Sequence, residues 1–563
     1  MSLQKTKNQT LSLSIEDRFY EQYKELRQEL ILEISTKYIS QVPPRRIIEK
    51  SQKILNRLVF ICFCEDVGLL PENTLRNLAG MDMWDTLKDL FVGVDKGCEE
   101  PIFIAAGYNG ELFKHDVDID DTIQVSDALC KRLITLSDYD FRRELAADIL
   151  GHIFEKSITD LERLKIDNGV NQKEHEKKRH NEGIYYTPPD IVQSIIEHTL
   201  QPYLEEKKTE LRKTLPNEKE VLLKFLQWLP TVKVLDPACG SGAFLVQVYH
   251  YLLKVYKDTV ESIQAPPSLI GYRFRETEYV RSILQNNLYG VDLNTESVEI
   301  TKLSLWLRSA TPNEKLVSLR DRIKRGNSVL QPDQHPDGFD WERGFGLEED
   351  AKFDVILGNP PYVRQELIKQ DKTFFQKNFP EVYTGTADLY VYFFALGLQL
   401  LKPGGYLGFI SSNKFLRCKY GQNLRTYLKD FTLTHVQDQF PKKVFSDAEV
   451  DPCVLILHKQ KPEPNHHFVH NGLSSLDSKQ IMLQSSLKPH GWHLPSASLQ
   501  RIFEKMQAKS IPLGETGVEI NYGIKTGYNN AFIIDEEKYK ELIRQDPRSR
   551  EIIHPVLRGR DLG

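Results

Sequence analysis

Five short apolar runs between residues 233 and 458 constrain this chain more than anything else in it. They are KVLDPACGSGAFL (233–245), LYGVDLN (288–294), FDVILGNPPY (353–362), GYLGFISS (405–412) and PCVLILH (452–458). Each apolar core is too short for a stable helix and too continuously apolar for a strand with one wet face. Such runs suit strands covered on both sides. Stretches of helical spacing lie between them. Strand and helix in alternation predict βαβ units and a parallel sheet, so the expected fold class is α/β.

In open α/β sheets ligands bind at the carboxyl ends of the strands, so the residues that end each run matter most. The first run ends in Asp236 and enters a turn containing Gly240 and Gly242, followed by a helical pattern. Glycines there let the backbone approach a ligand, and the helix start offers free N–H groups. No Gly-Lys-Ser/Thr follows, so the loop is not a P-loop, and its spacing departs from the dinucleotide fingerprint. A carboxylate at Asp236 suits the ammonium of an amino-acid-like ligand. The second run ends in Asp292, placed to accept ribose hydroxyls. It lies 56 residues beyond Asp236, against about 20 in the fingerprint, which predicts a helical insertion between the two strands.

The third run delivers Asn359, Pro360, Pro361 and Tyr362. Prolines remove backbone donors and fix the chain, leaving the Asn side chain and nearby carbonyls as acceptors. Two acceptors on a conjugated NH2 favour localisation of its lone pair for attack. Tyr362 offers a flat surface for a planar ring, a contact worth about 1–3 kcal/mol per base.

The flanks read differently. Residues 1–165 form an all-helical region: Tyr23, Leu26, Leu30 and Ile34 recur at helical spacing, Pro43-Pro44 interrupts, and a second apolar face follows through Ile47, Leu55, Leu58 and Val59. No Asp followed by a Glu-x-Lys suggests a metal-dependent nuclease there. Residues 166–182 are polar and charge-rich, a linker. The α/β alternation predicts a domain over 183–462. Residues 463–563 change again, with a strand–turn–strand pattern near 518–535. Hydrophobic residues make up 40% and charged residues 27% of 563 positions, which excludes collagen and wholesale disorder. No apolar run approaches the roughly 18 residues of a membrane span. Seven cysteines are scattered without a CxxC pair, so neither zinc nor a disulfide framework is expected and a reducing cytoplasm fits. The net charge of -5 excludes a chain that is basic throughout, not a local basic channel.

Taken in order, GIYYTPPDIV (183–192), VLDPACGSGAFL, GVDLN, RGNSVL (325–330), GNPPY, ADLYVYFF (387–394) and KPGGYLGFISSNKFL (402–416) resemble the gamma-class DNA adenine-N6 methyltransferases. Among these the chain is most similar to the methylase part of type IIG restriction–modification enzymes or related phage-exclusion methylases. The resemblance implies a Rossmann-like methyltransferase domain using S-adenosylmethionine, with no metal. It implies that Tyr186, Thr187 and Pro188 close over the methionine end of the cofactor. Asp236, Ala238 and Gly240 then form its loop, Asp292 its ribose acid and Asn327 its adenine contact. Asn359, Pro360, Pro361 and Tyr362 would be catalytic, with Tyr362 and Phe445 stacking on a flipped adenine. Double-stranded DNA is the implied partner, with Arg364, Lys414, Arg417, Lys419, Lys442 and Lys443 as candidate phosphate contacts.

The resemblance also implies a helical connector ahead of the catalytic domain and the start of a target-recognition domain after it, incomplete at Gly563. A nuclease domain or partner is expected outside this chain, and cutting is not expected from it. Two alternatives stay open. NPPY also serves methylation of protein glutamine or RNA amines, and a vestigial cofactor fold would serve a non-catalytic DNA-binding subunit. The intact Asn359, Pro360 and Tyr362 argue against the second.

Overall fold

The computed structural model describes residues 14–78, 82–97, 112–141, 145, 187–263, 276–311, 316–346, 352–440, 444, 451–471, 479–492, 494–495, 501–503, 505–506, 508–511, 515–518 and 532–556. Among them, residues up to Leu494 belong to one compact unit and those from Pro495 onward to a second.

The first unit opens with helices α1 (Ile15–Tyr38) and α2 (Pro44–Asp66), then α3 (Met83–Lys96) and α4 (Asp127–Ile134). Ser14 caps α1, accepting from Asp17 N at 3.0 Å, which satisfies one of the orphan donors of the first turn. Phe19, Tyr23, Leu26, Leu30 and Ile34 are buried along α1, as their spacing predicts. Pro44 stands at the first position of α2, where a missing N–H costs nothing. The first helix has already ended at Tyr38, so the proline pair marks the start of the second rather than the end of the first. Arg57 on α2 is fully buried. Its guanidinium donates to Leu112 O at 2.9 Å, Lys114 O at 3.0 Å and Asp120 Oδ1 at 3.3 Å, so the charge is paired rather than stranded.

The α/β part follows in chain order: α5 (Pro189–Thr214), α6 (Glu218–Trp228), β1 (Val234–Asp236), α7 (Ala243–Ser262), α8 (Glu276–Ser282), β2 (Leu288–Asp292), α9 (Thr295–Ser309), β3 (Ile323–Arg325), β4 (Phe353–Gly358), α10 (Lys372–Asn378), α11 (Tyr390–Leu400), β5 (Leu401–Ser412), α12 (Gln422–Leu428), β6 (Thr432–Gln437), β7 (Pro452–His458), β8 (His467–His470) and β9 (Gln480–Leu483). Among the described residues nine strands make one sheet in the order β3-β2-β1-β4-β5-β7-β6-β8-β9. All five apolar runs of the sequence are strands. Two helices, α7 and α8, stand between β1 and β2, which accounts for the long spacing from Asp236 to Asp292.

Both faces of β5 are covered. A Cβ on Gly408 would lie 2.6 Å from Thr199 Cγ2 of α5, and one on Gly397 of α11 would lie 2.5 Å from Leu407 Cδ1. Leu407 and Gly408 point to opposite faces of a strand, so α5 and α11 sandwich it. The two glycines let the helices close in. All six residues of β4 and all seven of β7 are buried, and fully burying each large aliphatic chain contributes about 1.5–3 kcal/mol.

The sheet departs from the wholly parallel one expected. β1 to β5 are parallel, but β7 runs antiparallel between β5 and β6. A strand buried on both faces reads as the same apolar run in either direction, so PCVLILH carried no sign of this. β8 and β9 lie beyond residue 462, within the stretch assigned from sequence to the third domain, yet continue this sheet. On the helical side, α2 packs against α9. In the second unit, α13 (Glu536–Gln545) is capped by Asp535, which accepts from Lys538 N at 2.8 Å. No described helix is long and apolar enough to cross a membrane.

Candidate functional site

From β1 the chain moves outward through β2 to β3 and then returns to β4 on the other side of β1. The strand order thus reverses at β1, and a crevice is expected at the carboxyl ends beside such a switch point. Asp236, Asp292 and the residues after Gly358 all end strands on that edge.

The β1–β2 side is dense with hydrogen bonds. Asp236 Oδ1 accepts from Ala238 N at 3.0 Å. Asp292 accepts from Gly240 N at 2.9 Å on one oxygen and from Asn294 N at 2.9 Å on the other. Gly240 and Gly242 have φ of +52° and +88°, backbone that glycine adopts without strain. A Cβ on Gly242 would also lie 2.8 Å from Thr301 Cγ2, whereas one on Gly240 would meet nothing within 4 Å. The loop therefore leans on α9 at Gly242 and is open at Gly240. Thr301 of α9 reaches back to it, donating to Gly240 O at 2.8 Å. Ser328 donates to Pro237 O at 2.6 Å.

Asn327 lies just past β3, where Gly326 N donates to Asp292 O at 2.9 Å. Its side chain accepts from Val329 N at 3.2 Å, shaping its own turn. Asp236 is 1% exposed. Burial, with Asp292 nearby, pushes its carboxyl up to about 8, and burial raises Asp292 as well. A buried acid with a raised value suits a cationic ligand, which restores the favoured charged form. Leu293, beside Asp292, is 51% exposed and offers an apolar surface next to the ribose-type acceptor. An ammonium or sulfonium, a diol and a flat ring match these groups.

The β4 side is built otherwise. Gly358 approaches Asp236 so closely that a Cβ would lie 2.6 Å from Asp236 Oδ1. The next residue, Asn359, is half-buried, and its Nδ2 donates to Thr187 Oγ1 at 3.1 Å. Thr187 is buried just ahead of α5. Pro188 caps that helix, its carbonyl accepting from Ile191 N at 3.0 Å. Pro360 is buried and Pro361 half-buried. Tyr362 is 6% exposed and packs edge-on against buried Tyr390, centroids 6.3 Å apart; stacking on a base needs a face of that ring uncovered. Tyr186, Phe445, Lys442 and Lys443 lie outside the described residues, as does most of the 518–535 segment. Arg364, Lys414, Arg417 and Lys419 are exposed.

The edge therefore brings Asp236, Ala238, Gly240, Asp292 and Asn327 to one side and Thr187 with Asn359 to the other, joined at Gly358. Sequence reasoning missed Thr301, Ser328 and the part played by Gly358. Ser328 and Gly358 stand inside quoted motifs; Thr301 carries no local signal. Among the described residues no group of three His, Cys, Asp or Glu side chains is gathered as a metal site.

Residues 286–445 match the family model described as Eco57I restriction-modification methylase. The chain resembles restriction–modification methylases along most of its length. It is 26% identical over 571 residues to the type II restriction enzyme and methyltransferase RM.Eco57I of Escherichia coli, an alignment covering 94% of this chain and 53% of that protein. It is 26% identical to the type II methyltransferase M.XhoI of Xanthomonas vasicola over 59% of each. The chain thus spans about half the length of the relatives it matches. Among solved structures, the type IIL restriction-modification enzyme MmeI, determined in complex with DNA, aligns with a TM-score of 0.65 at 17% identity, covering 95% of this chain and 68% of that one. That likeness shows a shared fold, an α/β part with a helical region ahead of it. The methylase family match takes in Asp292, Asn327 and Asn359–Tyr362, and begins after the glycine loop.

Proposed function

We propose that this chain is the DNA-methylating part of a restriction–modification enzyme. Its substrate is the N6 amine of an adenine flipped out of duplex DNA, and its cofactor is S-adenosylmethionine. The observation that carries this reading is the junction at Gly358, where the strand end that leads into Asn359 closes against the cofactor-type acid Asp236. A group that binds an amine thus adjoins a group that suits a sulfonium amino acid.

Asp236 and the loop at Ala238 and Gly240 would hold the amino-acid end of the cofactor, Asp292 its ribose and Asn327 with Leu293 its ring. When bound, the cofactor supplies a methyl already activated on a sulfonium. The chain's own contribution is position, which accounts for much of the barrier in such transfers. The Thr187 hydroxyl fixes the Asn359 amide by its nitrogen, so Oδ1 is the arm presented to the amine hydrogens, with the Pro360 carbonyl as second acceptor. The target atom is unreachable inside a duplex, hence the flipped base. Exposed Arg364, Lys414, Arg417 and Lys419 supply positive charge for the phosphates despite the net charge of -5.

Tritiated methyl transfer to unmethylated duplex DNA, RNA and protein, followed by nucleoside analysis, tests the proposal. N6-methyladenine in DNA is expected. No label in any DNA would sink it, and label in RNA or in glutamine would move the chain to the alternative class.

A further inference from the structure

Two segments that leave the catalytic edge converge on one carboxylate. Beyond Tyr362, Gln365 N donates to Asp388 Oδ1 at 3.2 Å, and Leu389 N donates to Val363 O at 2.9 Å. The Gln365 side chain is held in turn by Lys372 Nζ at 2.8 Å. From the other side, beyond β5, Tyr420 donates its hydroxyl to Asp388 Oδ2 at 3.3 Å. The Tyr420 and Tyr390 hydroxyls lie 2.8 Å apart. Tyr390 is the ring against which Tyr362 packs. The segment that carries Tyr420 also carries exposed Lys414, Arg417 and Lys419, and the segment that carries Gln365 carries exposed Arg364. Burial raises the Asp388 carboxyl, opposed first by the bond from Gln365 N and then by the nearby charge of Lys414.

We propose that Asp388 and Tyr420 are positioning residues. Together they lock the exit of the Asn359–Tyr362 tetrapeptide to the basic segment 414–420, so that engagement of the DNA backbone there fixes the reacting groups. This rests on the methyltransferase reading. A carboxyl group suits the task, because its two oxygens accept from the two segments separately, one from each. The Tyr420 hydroxyl bonds both Asp388 and Tyr390, so Tyr420→Phe removes both contacts while keeping the ring.

Tyr420→Phe and Asp388→Asn test the pair in the whole chain, with unmethylated duplex DNA of mixed sequence as probe. The kcat for methyl transfer is expected to fall about tenfold in each variant, as misplacement of the reacting groups implies. KM for DNA and the dissociation constant for S-adenosylmethionine should stay within about twofold, a change too small to signify lost binding. Amide hydrogen exchange in a peptide covering 361–367 should quicken in both. Unchanged kcat or unchanged exchange overturns the proposal. So does a fall in kcat matched by lost cofactor affinity and a lower Tm, which would mark a structural role only. If the unaltered chain transfers no methyl to DNA, the methyltransferase reading fails; the exchange measurement then decides the tether alone.

Discussion

On the β1–β2 side of the switch point, two carboxylates are engaged by three backbone N–H groups within short reach. On the β4 side, an amide donates to the hydroxyl of a residue 172 positions earlier. The first side concentrates buried carboxyl groups, and its geometry is fixed by the loop whose N–H groups they accept from. The second is neutral, and its geometry is borrowed from the far end of the domain. A site that must bind a cation and then align a weak nucleophile calls for both designs. The cation is held by charge, whereas the nucleophile is held by direction, and direction is lost with smaller changes.

The sharpest break between the two sides is Asn359→Ala. It should lower methyl transfer at least about a hundredfold, the scale of a misplaced reacting pair, while leaving S-adenosylmethionine affinity near that of the unaltered chain by calorimetry. Loss of both would mean that the two sides are not separable.

The next effect belongs to Asp236 alone. Its carboxyl sits at about 8 against an ordinary 3.8. The folded chain therefore keeps a proton that the unfolded chain has released between those values. Stability contributed by this group is full below about 4 and declines as pH rises towards 8, since the folded state binds more protons. Asp236→Asn should flatten that decline in denaturant midpoints taken across pH 5 to 8. A cationic ligand favours the carboxylate, so cofactor affinity should rise with pH over the same window, by up to about tenfold per unit. Calorimetry in two buffers of different ionisation enthalpy would then show proton release on binding. The same titration monitored through kcat should not show this acid limb at saturating cofactor, because Asn359 has no charge to lose.

Asp236, Asp292 and Asn359 were legible because the sequence places them at the ends of apolar runs, and the sheet places run-ends on one edge. The helices between β1 and β2 were legible from spacing alone. What local pattern could not carry are the contacts across the sheet. Thr301 meets Gly240 over 61 positions, and Tyr420 meets Asp388 over 32. Neither residue type nor spacing marks such a pair before the helices have packed. Strand direction is hidden for the same reason at β7, where burial on both faces erases the period of two. Tyr362 shows a different limit. An aromatic after two prolines reads as a stacking surface, but its packing against Tyr390 is settled by α11, a helix whose buried face covers most of its circumference.

The smallest effects give the finest test of the comparison, because they remove one hydroxyl from each side and nothing else. Thr187→Val takes the acceptor from Asn359 Nδ2, and Thr301→Val takes the donor from Gly240 O. Each bond is worth about 1 kcal/mol, a factor of about five. The two losses should nevertheless surface in different constants. Thr187→Val leaves the loop at Asp236 and Gly240 untouched, so it should lower kcat by more than it weakens binding of S-adenosylmethionine, whose methionine end the resemblance sets beside Thr187. Thr301→Val leaves Asn359 untouched and should weaken cofactor binding with an unchanged kcat at saturation. Thr301→Ser keeps the hydroxyl but removes the methyl that Gly242 leans on, so its cofactor affinity should fall less than that of Thr301→Val. If both valine variants shifted the same constant, Gly358 would be transmitting each perturbation across the edge, and the two sides would act as one rigid piece.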